Sequence, residues 1–310
     1  MMLIASIPQA HQEDLMREMI SHPLVAMVRY NTGMDSAYSP KETIAGILKY
    51  SRKFKKPLYI DLKGKQLRIE EWATLPFGPI ILNHKIKVEL PAKVFFRGDD
   101  WCELKEVVDG RKIYVDPLPK YPVGRGQAVN IIGKNLEIEG FFTENDYAYI
   151  KAGLDEGVER FMLSFADSLG YVRELEKALF DGSSAAARRK NFELVLKIES
   201  QKGLDFVKSA KVLRPYILMA ARDDLMIQIG GIKMLKAMEL IIENDPGAIC
   251  ASRLLLGLEQ AGQVTAADIS DIKLMQTLGY KRFMFSDGIS RNHFEKAIEF
   301  WREYISVYPA

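Results

Sequence analysis

Short apolar segments alternate with amphipathic ones along most of the chain, and this alternation is the strongest structural signal. Residues 2–8, 24–31 and 57–63 are apolar runs, and the segments between them carry apolar residues at helical spacing. A β-α-β rhythm of this kind favours parallel strands joined by right-handed helical crossovers. The pattern therefore predicts an α/β fold.

The rhythm is interrupted between about residues 68 and 139. Short alternating segments separated by Gly, Pro and Asp fill this stretch, which is typical of antiparallel strands and turns. We therefore predict a small antiparallel β domain inserted after the third strand, at residues 70–139. Residues 1–69 and 140–310 are then predicted to form the main domain.

The β-α rhythm resumes after the insert. Five further apolar runs are separated by helical segments, at residues 160–165, 192–199, 216–221, 248–251 and 282–286. Eight strands, each followed by a helix, predict a closed (β/α)₈ barrel, that is, a TIM barrel. Because sites in such barrels form at the carboxyl ends of the strands, polar residues at those positions are the functional candidates.

The strand at residues 192–199 ends in Lys197 and Glu199, which are two positions apart and so share a face. An ammonium beside a carboxylate suits an anionic substrate and a divalent metal such as Mg²⁺. A salt bridge that closes the strand is the alternative interpretation. The other strand ends contribute further polar residues: Arg29, Asn31, Asp61, Lys63, Arg68, Ser164, Arg222, Asp223, Asp224 and Ser252.

These residues form a rim of cations around carboxylates, which suits a multiply charged anion bridged through a metal ion. Individual members also have structural interpretations: Arg29 can pair with Asp61, and Ser252 can cap the helix after strand seven. Their convergence at one end of the barrel favours a functional site.

Composition sets broader limits. The chain of 310 residues has a net charge of +2, which gives no argument for a nucleic-acid or membrane partner. No apolar run approaches the roughly 20 residues of a membrane span. Cys102 and Cys250 are far apart and lack metal-ligand spacing, so we expect a reduced, cytoplasmic setting. These features neither require nor exclude a homo-oligomer.

The polar segments also occur in the order and at the spacing of known motifs. Arg29-Tyr-Asn31 resembles the R-x-N segment of pyruvate kinase, residues 61–68 its D-T-K-G-P-E-I-R and residues 197–203 its K-I-E-N-x-E-G. Further similarities are residues 221–225 to A-R-G-D-L, 249–254 to I-C-A-T-Q-M, and 110–116 to G-x-K-I-Y-V-D. The chain thus resembles pyruvate kinase over nearly its whole length. It differs in a shortened insert and in lacking the C-terminal allosteric domain, so control by sugar phosphates is not expected.

The resemblance implies a glycolytic transferase that uses Mg²⁺ or Mn²⁺, with phosphoenolpyruvate or pyruvate and ADP or ATP as partners. It implies that Glu199 and Asp224 hold the metal, and that Lys197 and Arg29 contact the transferred phosphoryl group. Ser252 would lie near the methylene carbon of the substrate. Substrate-binding roles are implied for Asn31, Asp61, Lys63, Arg68, Ser164, Arg222 and Asp223.

Several positions depart from the family pattern. Gly33 and Leu62 replace a serine and a threonine that hold K⁺, so K⁺ dependence is not expected, and Lys65 is the candidate to replace its charge. Met34 replaces a histidine near the nucleotide. Asp223 replaces a glycine whose turn faces the substrate carboxylate, and its charge would repel phosphoenolpyruvate unless it points outward.

Three functions follow from these residues. The first is a pyruvate-kinase-like phosphotransferase. The second is a lyase, decarboxylase or tautomerase on the same barrel, binding an oxo acid or its enolate through the metal. The third is a non-catalytic binding module, against which the convergence of so many charges argues. Fold alone does not choose among them.

Overall fold

The computed structural model describes residues 1–97, 100–180, 189–209, 213 and 215–309. The strands in chain order are β1 (Met2–Ser6), β2 (Val25–Asn31), β3 (Leu58–Leu62), β4 (Ile80–Ile81), β5 (Ile86–Arg97), β6 (Asp100–Val108), β7 (Lys112–Asp116), β8 (Asn130–Ile138), β9 (Arg160–Leu163), β10 (Glu193–Ile198), β11 (Ile217–Ala221), β12 (Ile249–Ala251) and β13 (Arg282–Met284).

The described helices surround these strands. They are α1 (Glu13–Ser21), α2 (Pro40–Phe54), α3 (Glu144–Asp155), α4 (Leu169–Phe180), α5 (Gln201–Ser209), α6 (Arg222–Ile229), α7 (Met234–Asn244), α8 (Leu256–Ala261), α9 (Ala266–Leu278), α10 (Asp287–Asn292) and α11 (Phe294–Val307), with a 3₁₀ turn at Gly231–Lys233. Across the part of the chain that the structure describes, no helix is long and apolar enough to cross a membrane.

Eight strands close into a barrel in the order β1-β13-β12-β11-β10-β9-β3-β2. Every neighbouring pair is parallel, and β1 completes the ring by pairing with both β2 and β13. The predicted (β/α)₈ barrel is confirmed. Its interior is filled by one apolar cluster, consisting of Ile4, Met27, Tyr59, Met162, Val195, Met219, Ile249, Ala251 and Met284. Because the barrel is packed rather than open, ligand space is left at its mouth.

The insert is a five-stranded antiparallel sheet in the order β4-β7-β6-β5-β8, which confirms the predicted small β domain after the third strand. The sheet has an apolar cluster of its own. Leu67 and Ile69 also belong to this cluster, although they precede the predicted boundary at residue 70. In strand β8, Gly133 and Asn135 interrupt the apolar alternation of the sequence.

The helices that position the site begin in two different ways. Three of the longer helices, α2, α3 and α9, begin with capping boxes; in α3 the side chain of Thr143 accepts the backbone N–H of Asp146, and the side chain of Asp146 accepts that of Thr143. Short helices follow β11 and β13 directly, which places Asp223, Asp224 and Asp287 in first turns at the barrel mouth. The sequence pattern placed Asp223 and Asp224 at a strand end, since a helix of eight residues carries little periodicity.

Candidate active site at the barrel mouth

A cavity of about 170 Å³ lies at the carboxyl ends of the barrel strands. Nine of the predicted site residues line it: Arg29, Asn31, Lys63, Arg68, Lys197, Glu199, Asp223, Asp224 and Ser252. Roughly 300–1,000 Å³ is typical of sites for drug-sized ligands, so this cavity suits a small acid. Asp61 and Ser164 lie directly beneath it, in contact with Lys197.

Asp61 organises the cations of the site. Its buried carboxylate accepts a hydrogen bond from Arg29 Nε at 2.9 Å, lies 2.9 Å from Lys63 Nζ and lies 3.3 Å from Lys197 Nζ. Burial alone would raise the pKa of Asp61, but Lys197, Lys63 and Arg29 hold it well below its ordinary value. The pairing of Arg29 with Asp61, one of the structural interpretations, is therefore present inside the site.

Lys197 connects Asp61 to the acidic side of the cavity. Its ammonium donates to Ser164 Oγ at 2.8 Å and lies 3.1 Å from Glu199 Oε1. The other oxygen of Glu199 accepts the backbone N–H of Phe165 at 2.6 Å. Burial, and to a lesser extent the Asp224 carboxylate, raise the pKa of Glu199 to about 7. Glu199 is thus a buried carboxylate whose negative charge is only partly compensated.

Asp224 is held by side chains from two parts of the molecule. Its Oδ1 accepts from Asn130 Nδ2 at 2.7 Å, and its Oδ2 accepts from Gln66 Nε2 at 3.4 Å. Asn130 belongs to β8, so the inserted sheet reaches the site. Neither Asn130 nor Gln66 was predicted: Asn130 belongs to the insert, and Gln66 lies in the loop after β3 between the predicted residues Lys63 and Arg68.

The donor set fits Mg²⁺ or Mn²⁺. The described residues contain no group of three or more His, Cys, Asp or Glu side chains arranged for a metal. Glu199 and Asp224 nevertheless line one cavity, and Mg²⁺ commonly takes one or two carboxylates and completes its octahedron with water and substrate oxygens.

Lys63 is poised differently from Lys197. Burial, together with the positive charges of Lys197 and Arg29, lowers the pKa of Lys63 to about 7. The backbone N–H of Lys63 donates to Asp146 Oδ1 at 2.8 Å, which fixes the start of the loop after β3. A lysine with this pKa on a cavity wall can exchange a proton at neutral pH.

Arg222 does not reach the cavity, contrary to its expected substrate-binding position. Its guanidinium donates to both carboxylate oxygens of Asp271, at 2.7 and 2.8 Å, and its Nε donates to the Ser252 carbonyl at 2.9 Å. This contact holds a left-handed backbone at Ser252, where φ is 63°. Ser252 is not a helix cap, because the N-cap of α8 is Leu255.

Asp287 is an acidic residue of the site that was not predicted. Both of its carboxylate oxygens lie 2.9 Å from Arg29 Nη1, and Oδ2 accepts from Asn31 Nδ2 at 2.8 Å. A signal was available, since Ser286-Asp287 directly follows the eighth strand, where the same strand-end rule applies.

Comparison with known proteins agrees with this geometry. The family model for the pyruvate kinase barrel domain matches residues 98–294. The chain belongs to the pyruvate kinase family. It is 27% identical over 292 residues to a pyruvate kinase of Thermoplasma acidophilum, covering 87% of this chain and 51% of that protein. A pyruvate kinase of Borreliella burgdorferi is 24% identical over 275 residues, covering 80% and 55%. The chain spans about half the length of these two relatives.

Asp223, which stands in place of a glycine of the pyruvate kinase motif, points partly outward. Its side chain is 53% exposed, and its Oδ1 lies 3.6 Å from Arg253 Nη1. Arg253 therefore offsets part of the negative charge that replaces the glycine of the pyruvate kinase pattern.

The positions that hold K⁺ in the pyruvate kinase pattern have different surroundings in this protein. A Cβ at position 33 would lie 2.3 Å from Arg68 Cζ, so the guanidinium occupies the space of the missing serine side chain. Lys65 does not replace the cation beside Asp61: its ammonium lies 4.8 Å from the centre of the Tyr171 ring and 3.7 Å from Asp167. The ammonium groups beside Asp61 belong to Lys63 and Lys197.

A second cleft, of about 610 Å³, adjoins the cavity on the side of Met34 and shares Lys63 and Arg68 with it. Arg68 Nη1 donates to the carbonyl of Gly33 at 3.0 Å and also to that of Gly126. The arginine thus joins the loop after β2 to the insert at the boundary between the two spaces.

Proposed function

We propose that this member of the pyruvate kinase family binds a small 2-oxo acid or its enol phosphate at the barrel mouth. The first candidate reaction is metal-dependent phosphoryl transfer between phosphoenolpyruvate, or a similar enol phosphate, and a nucleoside diphosphate. The observation that carries the proposal is Lys197, whose buried ammonium lies between Ser164 at 2.8 Å and Glu199 at 3.1 Å on the cavity wall.

Glu199 and Asp224 would hold Mg²⁺ or Mn²⁺, which when bound supplies positive charge to the enolate and phosphoryl oxygens. Lys197 would stabilise the charge on the phosphoryl oxygens. Phosphoryl transfer requires little covalent chemistry from the protein, so positioning and electrostatics account for most of the catalysis. The Ser252 hydroxyl would face the methylene carbon of the substrate.

The second candidate is enolate chemistry without a nucleotide, as in a lyase, decarboxylase or tautomerase. The contact of Asp287 with Arg29 favours it, because the arginine that would clamp a phosphoryl group is already paired with a carboxylate. Arg68 beside Gly33, and Met34 in the adjoining cleft, also depart from the nucleotide-side pattern. In this reaction Lys63 would exchange the proton.

The test is a coupled assay for pyruvate from phosphoenolpyruvate, ADP and Mg²⁺, with and without K⁺, alongside calorimetry. Phosphoryl transfer predicts pyruvate formation at a rate that changes less than about twofold when K⁺ is replaced at constant ionic strength. Enolate chemistry predicts binding of oxalate with Mg²⁺ but no binding of nucleotide. Binding of neither ligand would reject both candidates.

A further inference from the structure

Each nitrogen of the Arg29 guanidinium donates a hydrogen bond to an acceptor of the protein itself. Nε and Nη2 donate to Asp61, the first at 2.9 Å. Nη1 donates to Ser6 Oγ at 3.1 Å and to both oxygens of Asp287 at 2.9 Å. The edge of this arginine that faces the cavity is therefore occupied by a carboxylate of the chain itself.

Asp287 is firmly placed in this position. It lies in the first turn of α10, whose N-cap Ser286 accepts the backbone N–H of Ile289 at 3.1 Å. Its carboxylate also accepts from Asn31 at 2.8 Å. The side chain is 29% exposed and lines the cavity, so a ligand that enters the cavity meets its charge.

We propose that Asp287 determines specificity: its carboxylate occupies the place on Arg29 and Asn31 that a substrate phosphoryl group would take. The cavity then selects an unphosphorylated 2-oxo carboxylate, or its enolate, over the enol phosphate of the same carbon skeleton. This inference rests on the proposed oxo-acid site and deepens its second candidate reaction. The Asp287 carboxylate selects against the enol phosphate in two ways: it repels the negatively charged phosphoryl group, and it already occupies Arg29 and Asn31, which would bind that group.

The charge balance of the cavity wall points the same way. Its lining contains four basic side chains and the same number of acidic ones: Arg29, Lys63, Arg68 and Lys197 against Glu199, Asp223, Asp224 and Asp287. Asp61, directly beneath the cavity and in contact with Arg29, Lys63 and Lys197, adds a fifth carboxylate, so a divalent cation would leave a charge of about +1. A dianion such as oxalate, or the enolate of a monocarboxylic oxo acid, comes closer to balancing this charge than phosphoenolpyruvate, which approaches a trianion at neutral pH.

The experiment is calorimetric titration of the full chain with oxalate and, separately, with phosphoenolpyruvate, each at the same Mg²⁺ concentration. We expect the native protein to bind oxalate at least tenfold more tightly. Asp287→Asn keeps the size of the side chain and removes its charge, so affinity for phosphoenolpyruvate should rise at least tenfold while that for oxalate changes less than threefold. Asp287→Glu, which restores the charge, should restore the discrimination.

Asp223→Asn is the matched control, since it removes the same charge from another part of the cavity wall. Because Asp223 is 53% exposed and lies 3.6 Å from Arg253, its loss should change the ratio of the two affinities less than threefold. Equal or tighter binding of phosphoenolpyruvate by the native protein would overturn the inference, as would an unchanged ratio in Asp287→Asn. If the native protein did not bind oxalate at all, the proposed oxo-acid site itself would be wrong. Failure of the site is therefore distinguishable from failure of the role of Asp287.

Discussion

Lys197 is the residue on which both candidate reactions depend. Its side chain is almost fully buried, and burial alone would lower its pKa, but Asp61 and Glu199 raise it above the ordinary value. The ammonium therefore stays charged at the cavity wall at neutral pH. A fixed positive charge in a poorly solvated cavity stabilises developing negative charge strongly, because it needs no reorganisation during the reaction.

We therefore predict that Lys197→Met weakens oxalate binding in the presence of Mg²⁺ about 10–100-fold, since a charge-assisted hydrogen bond is lost. Any turnover of phosphoenolpyruvate should fall about 10²–10³-fold. Calorimetry and the coupled assay measure the two effects. Lys202→Met is the control, because Lys202 is exposed and donates to the Leu136 carbonyl outside the cavity. If Lys197→Met bound oxalate with the affinity of the native protein, this lysine would have no part in ligand binding.

The strand-end rule identified most of these residues in the sequence. Asp61 and Ser164 lie beneath the cavity in contact with Lys197, whereas the guanidinium of Arg222 is held outside it by Asp271 of α9. Asp287 was not among the predicted residues, although the same rule applies to it because it follows a strand like the others.

At the scale of elements, the loop after β3 is positioned by several tertiary contacts. Asp146 of α3 accepts the backbone N–H groups of Lys63 at 2.8 Å and Gly64 at 3.2 Å. The carbonyl of Gly64 lies 2.8 Å from Nε2 of His84, which belongs to the insert. These contacts leave no room at Gly64, where φ is +50° and a Cβ would lie 1.6 Å from the Tyr171 hydroxyl.

Gly64→Ala should therefore lower the free energy of unfolding by about 2–4 kcal/mol, through left-handed backbone strain and overpacking. Urea denaturation followed by circular dichroism measures this change. Gly46→Ala in α2 is the matched control: no atom lies within 4 Å of its Cβ position, so it should raise stability by about 0.5–1 kcal/mol. Equal stabilities of the two variants would show that the loop yields without strain.

At the scale of the whole molecule, the insert contributes directly to the barrel site. Asn130 of β8 donates to Asp224, and Gln228 of α6 in turn donates to Asn130 at 3.1 Å. The assignment of residues 70–139 to the insert, and of 1–69 and 140–310 to the barrel, remains our proposal for the domain extents. Leu67 and Ile69 pack with the insert's core across that boundary, which couples the two units.

Removal of the Asn130 amide should weaken Mg²⁺ or Mn²⁺ binding about 10–100-fold, because partners that orient a metal-binding carboxylate affect affinity by this amount. Titration of Asn130→Ala with Mn²⁺ measures the change. Lys134→Ala on the same strand is exposed and should bind Mn²⁺ like the native protein. If both variants bind normally, the insert has no part in metal binding.

Sequence periodicity alone determined the barrel, the position of the insert and the strand ends that carry chemistry. These features depend on contiguous residues, since side-chain alternation and helical spacing are local properties. Tertiary structure decided which of those polar groups act together. The contact between Arg29 and Asp287 joins residues 258 positions apart, and the one between Asn130 and Asp224 crosses from insert to barrel. Such contacts arise only when the ring of strands closes and the insert folds against it, because no local pattern specifies the partner of a charged side chain.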